Sequence, residues 1–138
     1  MADDDLVEHG DRQISPQATV SRIIVKAMKE LYGRGPTHAK TYFCEEYIFC
    51  VMSGGLTRSE ETMMRGGEHD SVRDYRLRFQ AVIAPELIRR VEDVLGRRVV
   101  SYHSQVLFDP DRLIEIFVVD PTEDVGSETP TGGSPGPS

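Results

Sequence analysis

Gly33-Arg34-Gly35-Pro36-Thr37 is the stretch of this 138-residue chain that comes nearest in composition to a phosphate-binding loop. A phosphate cradle runs strand, glycines, helix N-terminus, because free N–H groups and the positive end of the helix dipole attract the anion. Here the glycines follow a periodic helical run, so a phosphate would meet outward carbonyls and the negative end of the dipole. Arg34 is expected to cap those carbonyls instead. Side chains offer a second way to hold a small anion such as phosphate, bicarbonate or a nucleotide. Arg34, His38, Lys40 and Arg97, with Arg98 beside it, supply the donors for a site that spans two subunits.

The remaining reactive residue types do not assemble into known chemistry. His9, His38, His69 and His103 show no short metal-ligand spacing to one another or to the cysteines, so no metal site is expected. No serine or cysteine has a recognisable base beside it, and Glu45-Glu46 reads as an exposed turn rather than an acid/base pair. No catalytic residue and no cofactor is expected, and the chain reads as non-enzymatic. Cys44 and Cys50 are too few for a disulfide scaffold. A two-residue turn at Glu45-Glu46 places them on opposite sheet faces, as free thiols.

Charge separates the chain into three parts. Nine of the 23 acidic residues and one of the 16 basic residues fall in stretches 1–14 and 120–138, which leaves 15 bases and 14 acids between them. The net charge of −7 therefore belongs to the tails. Both tails are poor in large apolar residues, and the second is rich in Gly, Pro, Ser and Thr. Residues 1–14 and 121–138 are expected to be disordered, flanking one domain over 15–120. A near-neutral core between acidic tails argues against nucleic acid as a partner. No run approaches the roughly 20 apolar residues of a membrane span, and the acidic N-terminus does not resemble a signal peptide. The expected location is cytoplasmic, without direct membrane insertion.

The elements follow from period and punctuation. Ser15 and Pro16 suit the N-cap and first helical position, and Val20, Ile23, Ile24, Ala27, Met28 and Leu31 make one apolar stripe that ends at Gly33. Thr37 to Cys44 and Tyr47 to Met52 form a hairpin. Thr57-Arg58-Ser59-Glu60 is a capping box for a short helix closed by Gly66-Gly67. Asp70 is the expected cap of the next helix, with a kink or break at Pro85. Its arginines, Arg73, Arg76, Arg78, Arg89 and Arg90, read as solvated surface. Val99 to Leu107 and Leu113 to Val119 form a second hairpin joined by a turn at Pro110.

The fold class is α+β: helix, hairpin, helix, helix, hairpin, with a four-stranded, mainly antiparallel sheet and helices on one face. In the first hairpin Lys40, Tyr42, Cys44, Tyr47, Phe49 and Val51 share one face, and Ala39, Thr41, Phe43, Ile48, Cys50 and Met52 share the other. Neither is polar. The last strand, from Leu113 to Val119, is nearly continuous apolar sequence, as for a strand covered on both sides. A second subunit is the expected cover for the outer face, so the chain reads as a homo-oligomer.

Several separated motifs resemble the MpsC domain family, named for a sodium-translocating, membrane-potential-generating system. They are Tyr32-Gly33-Arg34-Gly35-Pro36-Thr37, Lys40-Thr41-Tyr42, Gly55-Leu56-Thr57 with Glu60, and Val72-Arg73-Asp74 with Phe79. Pro85-Glu86-Leu87, Gly96-Arg97, Phe108-Asp109-Pro110-Asp111 and Glu115-Ile116-Phe117-Val118 complete the set. The resemblance covers about residues 17–120. It implies an accessory or regulatory protein, in peripheral contact with a membrane transport protein, and carries no catalytic or ligand residues with it.

Overall fold

A computed structural model describes residues 14–121. The two tails expected to be disordered lie outside the described residues, apart from Ile14 and Pro121. Seven elements follow in order: α1 (Pro16–Tyr32), β1 (His38–Cys44), β2 (Tyr47–Ser53), α2 (Arg58–Arg65), α3 (His69–Leu95), β3 (Val99–Leu107) and β4 (Arg112–Val119). The order and the α+β class are those read from the sequence.

Local chemistry sets most of the boundaries. The Ser15 hydroxyl accepts from the Ala18 N–H at 3.1 Å, Pro16 occupies the first turn, and Gly33 closes α1 at φ +89°. That conformation favours glycine because it has no Cβ. Thr57 and Glu60 form both halves of the capping box of α2. The β1–β2 turn is the two-residue Glu45-Glu46 turn, which pairs Cys44 with Tyr47 and Thr41 with Cys50. Both thiols are free, Cys50 buried and Cys44 exposed.

Two local expectations are corrected. α3 is one continuous 27-residue helix with Pro85 inside it, not a helix broken there. Pro85 deprives the Ala81 carbonyl of its helical donor, but Ala81 is exposed, so water can take that place. The helix starts at His69 with Glu68 at its N-cap, where Asp70 was the expected cap. The turn between β3 and β4 holds a cis Asp109–Pro110 peptide.

The sheet order is β1-β2-β4-β3, with every neighbouring pair antiparallel. The two hairpins thus meet through their second strands, with α1 against β1 and α3 against β3 on the same side. The core lies between: Val20, Ile24 and Met28 from α1 and Ile83, Leu87 and Val91 from α3 pack on Ile48, Met52, Leu113 and Phe117. β4 alternates along its length, with its inner residues buried and its outer ones only half-buried. A single chain therefore leaves that strand covered on one side.

Candidate functional site

Registers fix what each sheet face carries. On the inner face, Thr41, Cys50, Glu115 and Ser104 stand side by side across β1, β2, β4 and β3. This polar row crosses the centre of the core. The Thr41 hydroxyl lies 2.7 Å from that of Ser21 on α1. Glu115 is wholly buried; it accepts hydrogen bonds from the Tyr102 hydroxyl and, at 2.9 Å, from the Ser104 hydroxyl. Tyr102 also reaches the Gln80 amide oxygen at 3.3 Å, and the Gln80 nitrogen donates to the Met28 sulfur at 3.5 Å. Loss of water around the carboxylate raises the Glu115 pKa to about 7, against the pull of its two hydroxyl donors and of Arg76. Burial, with the adjacent Glu115 charge, also pushes the Tyr102 hydroxyl upward. Desolvation raises the Cys50 thiol to about 12, which keeps it neutral.

One turn before Gln80 on α3, Arg76 forms a second buried cluster. Its guanidinium donates to Glu60 at 2.9 Å and to the Gly55 carbonyl at 3.4 Å, and stands 5.1 Å from the Tyr32 ring centre. Glu60 also accepts from the Tyr32 hydroxyl and from the Thr57 N–H. Arg76 and Glu60 are 4% and 6% exposed, so this is an interior ion pair and not the solvated surface expected of the α3 arginines. Burial and the Glu60 hydrogen bond raise the Tyr32 hydroxyl well above its ordinary range.

Two openings adjoin this cluster. A cavity of about 10 Å³, the size of one water molecule, lies between Arg76, Met28, Met52 and Leu113, with Arg34 and Asp111 at its edge. A cleft of about 420 Å³ lies between α2 and α3, with Tyr32 and Glu60 at its base and Met63 and Tyr75 at its rim.

Arg34 and His38 lie at the end of the sheet where β1 begins, and Lys40 projects from the outer face beside Tyr42. Arg97 lies at the opposite end, where its guanidinium donates to the Asp120 carbonyl at 2.7 Å. One chain brings Arg34 and His38 to a common end and leaves Arg97 at the other, so joining all four calls for a second chain. Among the described residues Arg34 makes no hydrogen bond to the α1 carbonyls it was expected to cap; it is exposed beside the small cavity.

The outer face is arranged in rows. Lys40, Val51, Ile114 and Gln105 form one, Tyr42, Phe49, Ile116 and His103 the next, and Cys44, Tyr47, Val118 and Ser101 the third. Its centre is apolar, its margins carry polar and basic groups, and these rows hold no acidic residue. Tyr42 and Tyr47 are 49% and 42% exposed.

A family model described as "Na+-translocating membrane potential-generating system (MpsC)" matches residues 13–121. The chain belongs to the MpsC family. It is 28% identical over 100 residues to the uncharacterized protein YrhF of Bacillus subtilis (strain 168), a match that covers 71% of this chain and 82% of that one. No solved structure matches. Of the residues that carry the MpsC resemblance in the sequence, Tyr32, Gly55 and Glu60 meet Arg76, and Thr57 bonds to Glu60. No described helix of this MpsC-family chain is long and apolar enough to cross a membrane.

Sequence reasoning missed both buried acid clusters, although parity held a signal for one. Glu115 lies two residues from Leu113 and from Phe117, on the buried side of an alternating strand.

Proposed function

We propose that this MpsC-family protein is a non-enzymatic accessory or regulatory module of a membrane-potential-generating ion-transport system, and that it acts through self-association of its outer sheet face. The observation that carries this reading is the open apolar centre of that face, formed by Phe49, Val51, Ile114, Ile116 and Val118. Four strands of about seven residues give a footprint of roughly 450 Å². Side-chain relief brings the accessible area towards the low end of the roughly 800 Å² per partner of a standard interface. The dimer is accordingly a concentration-dependent one. If β2 of one copy lies over β4 of the other, Lys40 faces Gln105 and Arg112 faces Ser53, so the basic margins avoid one another. Contact with a membrane transport protein is then peripheral and the location cytoplasmic. Sedimentation of the wild type and of Phe49→Asp with Ile116→Asp tests this: a dimer that the substitutions dissolve supports it, and a wild-type monomer at every concentration refutes it.

A second reading, a small-anion sensor at Arg34, draws on the placement of Arg34 and Arg76 beside one cavity. Because that cavity fits only a water molecule, the anion would rest on the exposed side of Arg34, with His38 as a neighbour. Phosphate should then raise the melting temperature by mass action, and Arg34→Ala should abolish the effect.

A further inference from the structure

Arg22, Lys26 and Lys29 are exposed on α1 at spacings of four and three, which places them on one side of the helix. That side lies opposite Val20, Ile24, Ala27 and Met28, the residues α1 buries. Among the described residues none of the three cations makes a hydrogen bond or an ion pair, and the nearest acid on the helix, Glu30, is taken by Arg90 at 3.1 Å. Elsewhere in the helical layer cations stand with acids: Arg73 with Asp70, Arg76 with Glu60, and Arg89 with Glu86 and Asp93. The outer side of α1 is a basic stripe without an acid. Like charges one turn apart work against a helix, so such a stripe gains from an anionic cover.

The chain carries a cover of the right charge and length. The described residues begin at Ile14, directly before the Ser15 cap, so residues 1–13 are tethered to the start of this same helix. They hold Asp3, Asp4, Asp5, Glu8 and Asp11 against one strong base, Arg12. At a rise of 1.5 Å per residue, Arg22, Lys26 and Lys29 lie about 12, 18 and 22 Å along α1 from Ile14. An extended chain at about 3.3 Å per residue carries Asp11, Glu8 and Asp5 roughly 10, 20 and 30 Å from the same point. Acids and cations therefore meet in order when the chain doubles back, and the length of the side chains closes the small gap at Asp11. Each exposed pair is weak by itself. The tether offsets this by holding the acids at an effective concentration on the order of millimolar.

We propose that the acidic segment from Asp3 to Asp11 folds back over the outer side of α1 and covers Arg22, Lys26 and Lys29 of its own chain. The contact is electrostatic and lies away from the outer sheet face, so it stands whether or not that face self-associates. While the segment is seated, an external polyanion must displace it to reach those cations.

A nitroxide attached to Leu6→Cys in full-length Cys44→Ser, the second change removing the exposed native thiol, reports where the segment lies. In low salt the label should broaden the amide signals of Lys26 and Lys29 well above those of Lys40 and Tyr42 on the outer sheet face. That broadening should fall at least threefold in 1 M NaCl, where the Debye length is about 3 Å. It should fall as much in low salt when Arg22, Lys26 and Lys29 are all changed to glutamine, at positions exposed enough to leave the core intact. Broadening that ignores both salt and the glutamine changes, or that centres on Lys40 and Tyr42, would overturn the proposal. So would equal broadening of isotope-labelled chains without nitroxide when mixed with nitroxide-bearing, unlabelled ones, since the segment would then belong to a second copy.

Discussion

Replacing Glu115 with glutamine removes a titration from the middle of the core while keeping the shape of the side chain. The amide oxygen can accept from Tyr102, and Ser104, whose hydroxyl also accepts, can face the amide nitrogen. In the native chain burial raises the pKa of this carboxyl from 4.5 to about 7. Between those values the unfolded chain releases a proton that the folded chain keeps. Stability therefore falls as pH rises from 4.5 to 7 and levels off above. At 1.36 kcal/mol per pKa unit the loss is roughly 3 kcal/mol, a large share of the 5–15 kcal/mol typical of a domain. Glu86 works in the opposite sense, since hydrogen bonds from Arg89 and Arg90 lower its pKa, but its contribution changes below pH 4.5.

Urea unfolding at pH 5 and pH 8 measures the effect. With an m-value of about 1.5 kcal/mol/M, the wild-type midpoint should lie about 2 M lower at pH 8 on this account alone. Other titrating groups add their own slopes, so the decisive quantity is the difference between Glu115→Gln and wild type at each pH. That difference should grow in favour of the variant from pH 5 to pH 7 and then stay constant. Parallel wild-type and variant curves would show that Glu115 does not carry its proton into the neutral range, and the desolvation argument would fail.

Arg76→Met should destabilise the protein by about 3–5 kcal/mol, because Glu60 is left buried without its cation; adding Glu60→Gln should recover part of the loss, as read by urea unfolding. Pro85→Ala restores a helical N–H opposite the Ala81 carbonyl and should raise stability by about 1–2 kcal/mol, seen as a melting temperature several degrees higher. Gly54→Ala meets two obstacles, a φ of +78° and a Cβ placed against the Thr37 hydroxyl, whereas Gly67→Ala meets only its φ of +82°. The first should cost more than 2 kcal/mol and the second about 1 kcal/mol in thermal unfolding.

The parts of the fold legible in the sequence are those decided within a few residues. Ser15 with Pro16, the Thr57–Glu60 box and the Glu45-Glu46 turn each act over a span of about four, and period-two patterning sets the first hairpin's register once the turn is known. The fate of a charge is settled otherwise. Arg76 is drawn inside by a glutamate 16 positions earlier, and Glu115 is held by a tyrosine 13 positions earlier and a serine 11 earlier. No local pattern reports those partners. Among the arginines of α3, Arg73, Arg78 and Arg89 do behave as surface charges, as composition suggests, and only the partner of Arg76 distinguishes it. The proline in α3 shows the same dependence: the helix runs on through Pro85, where the freed Ala81 carbonyl is on an exposed residue that water can reach.

The gathering of Tyr32, Gly55 and Glu60 around one arginine, with Thr57 bonded to Glu60, bears on what the MpsC resemblance means. Each of these residues has a structural task in the cluster: Thr57 starts α2, Glu60 ties it to Arg76, Gly55 offers a carbonyl, and Tyr32 places a ring against the guanidinium and a hydroxyl on Glu60. A motif assembled from such tasks marks a way of docking a short helix, and it constrains the chemistry of a ligand very little. Any ligand specificity must then come from groups outside the cluster, such as the exposed Arg34 or the rim residues Met63 and Tyr75, which the docking of α2 leaves free to differ. If relatives that keep the Arg76 pairing bound unrelated ligands through those outer groups, this division would hold; if exchanging the outer groups left binding unchanged while Glu60→Gln abolished it at constant hydrogen-exchange protection of α2, the cluster itself would be the binding site.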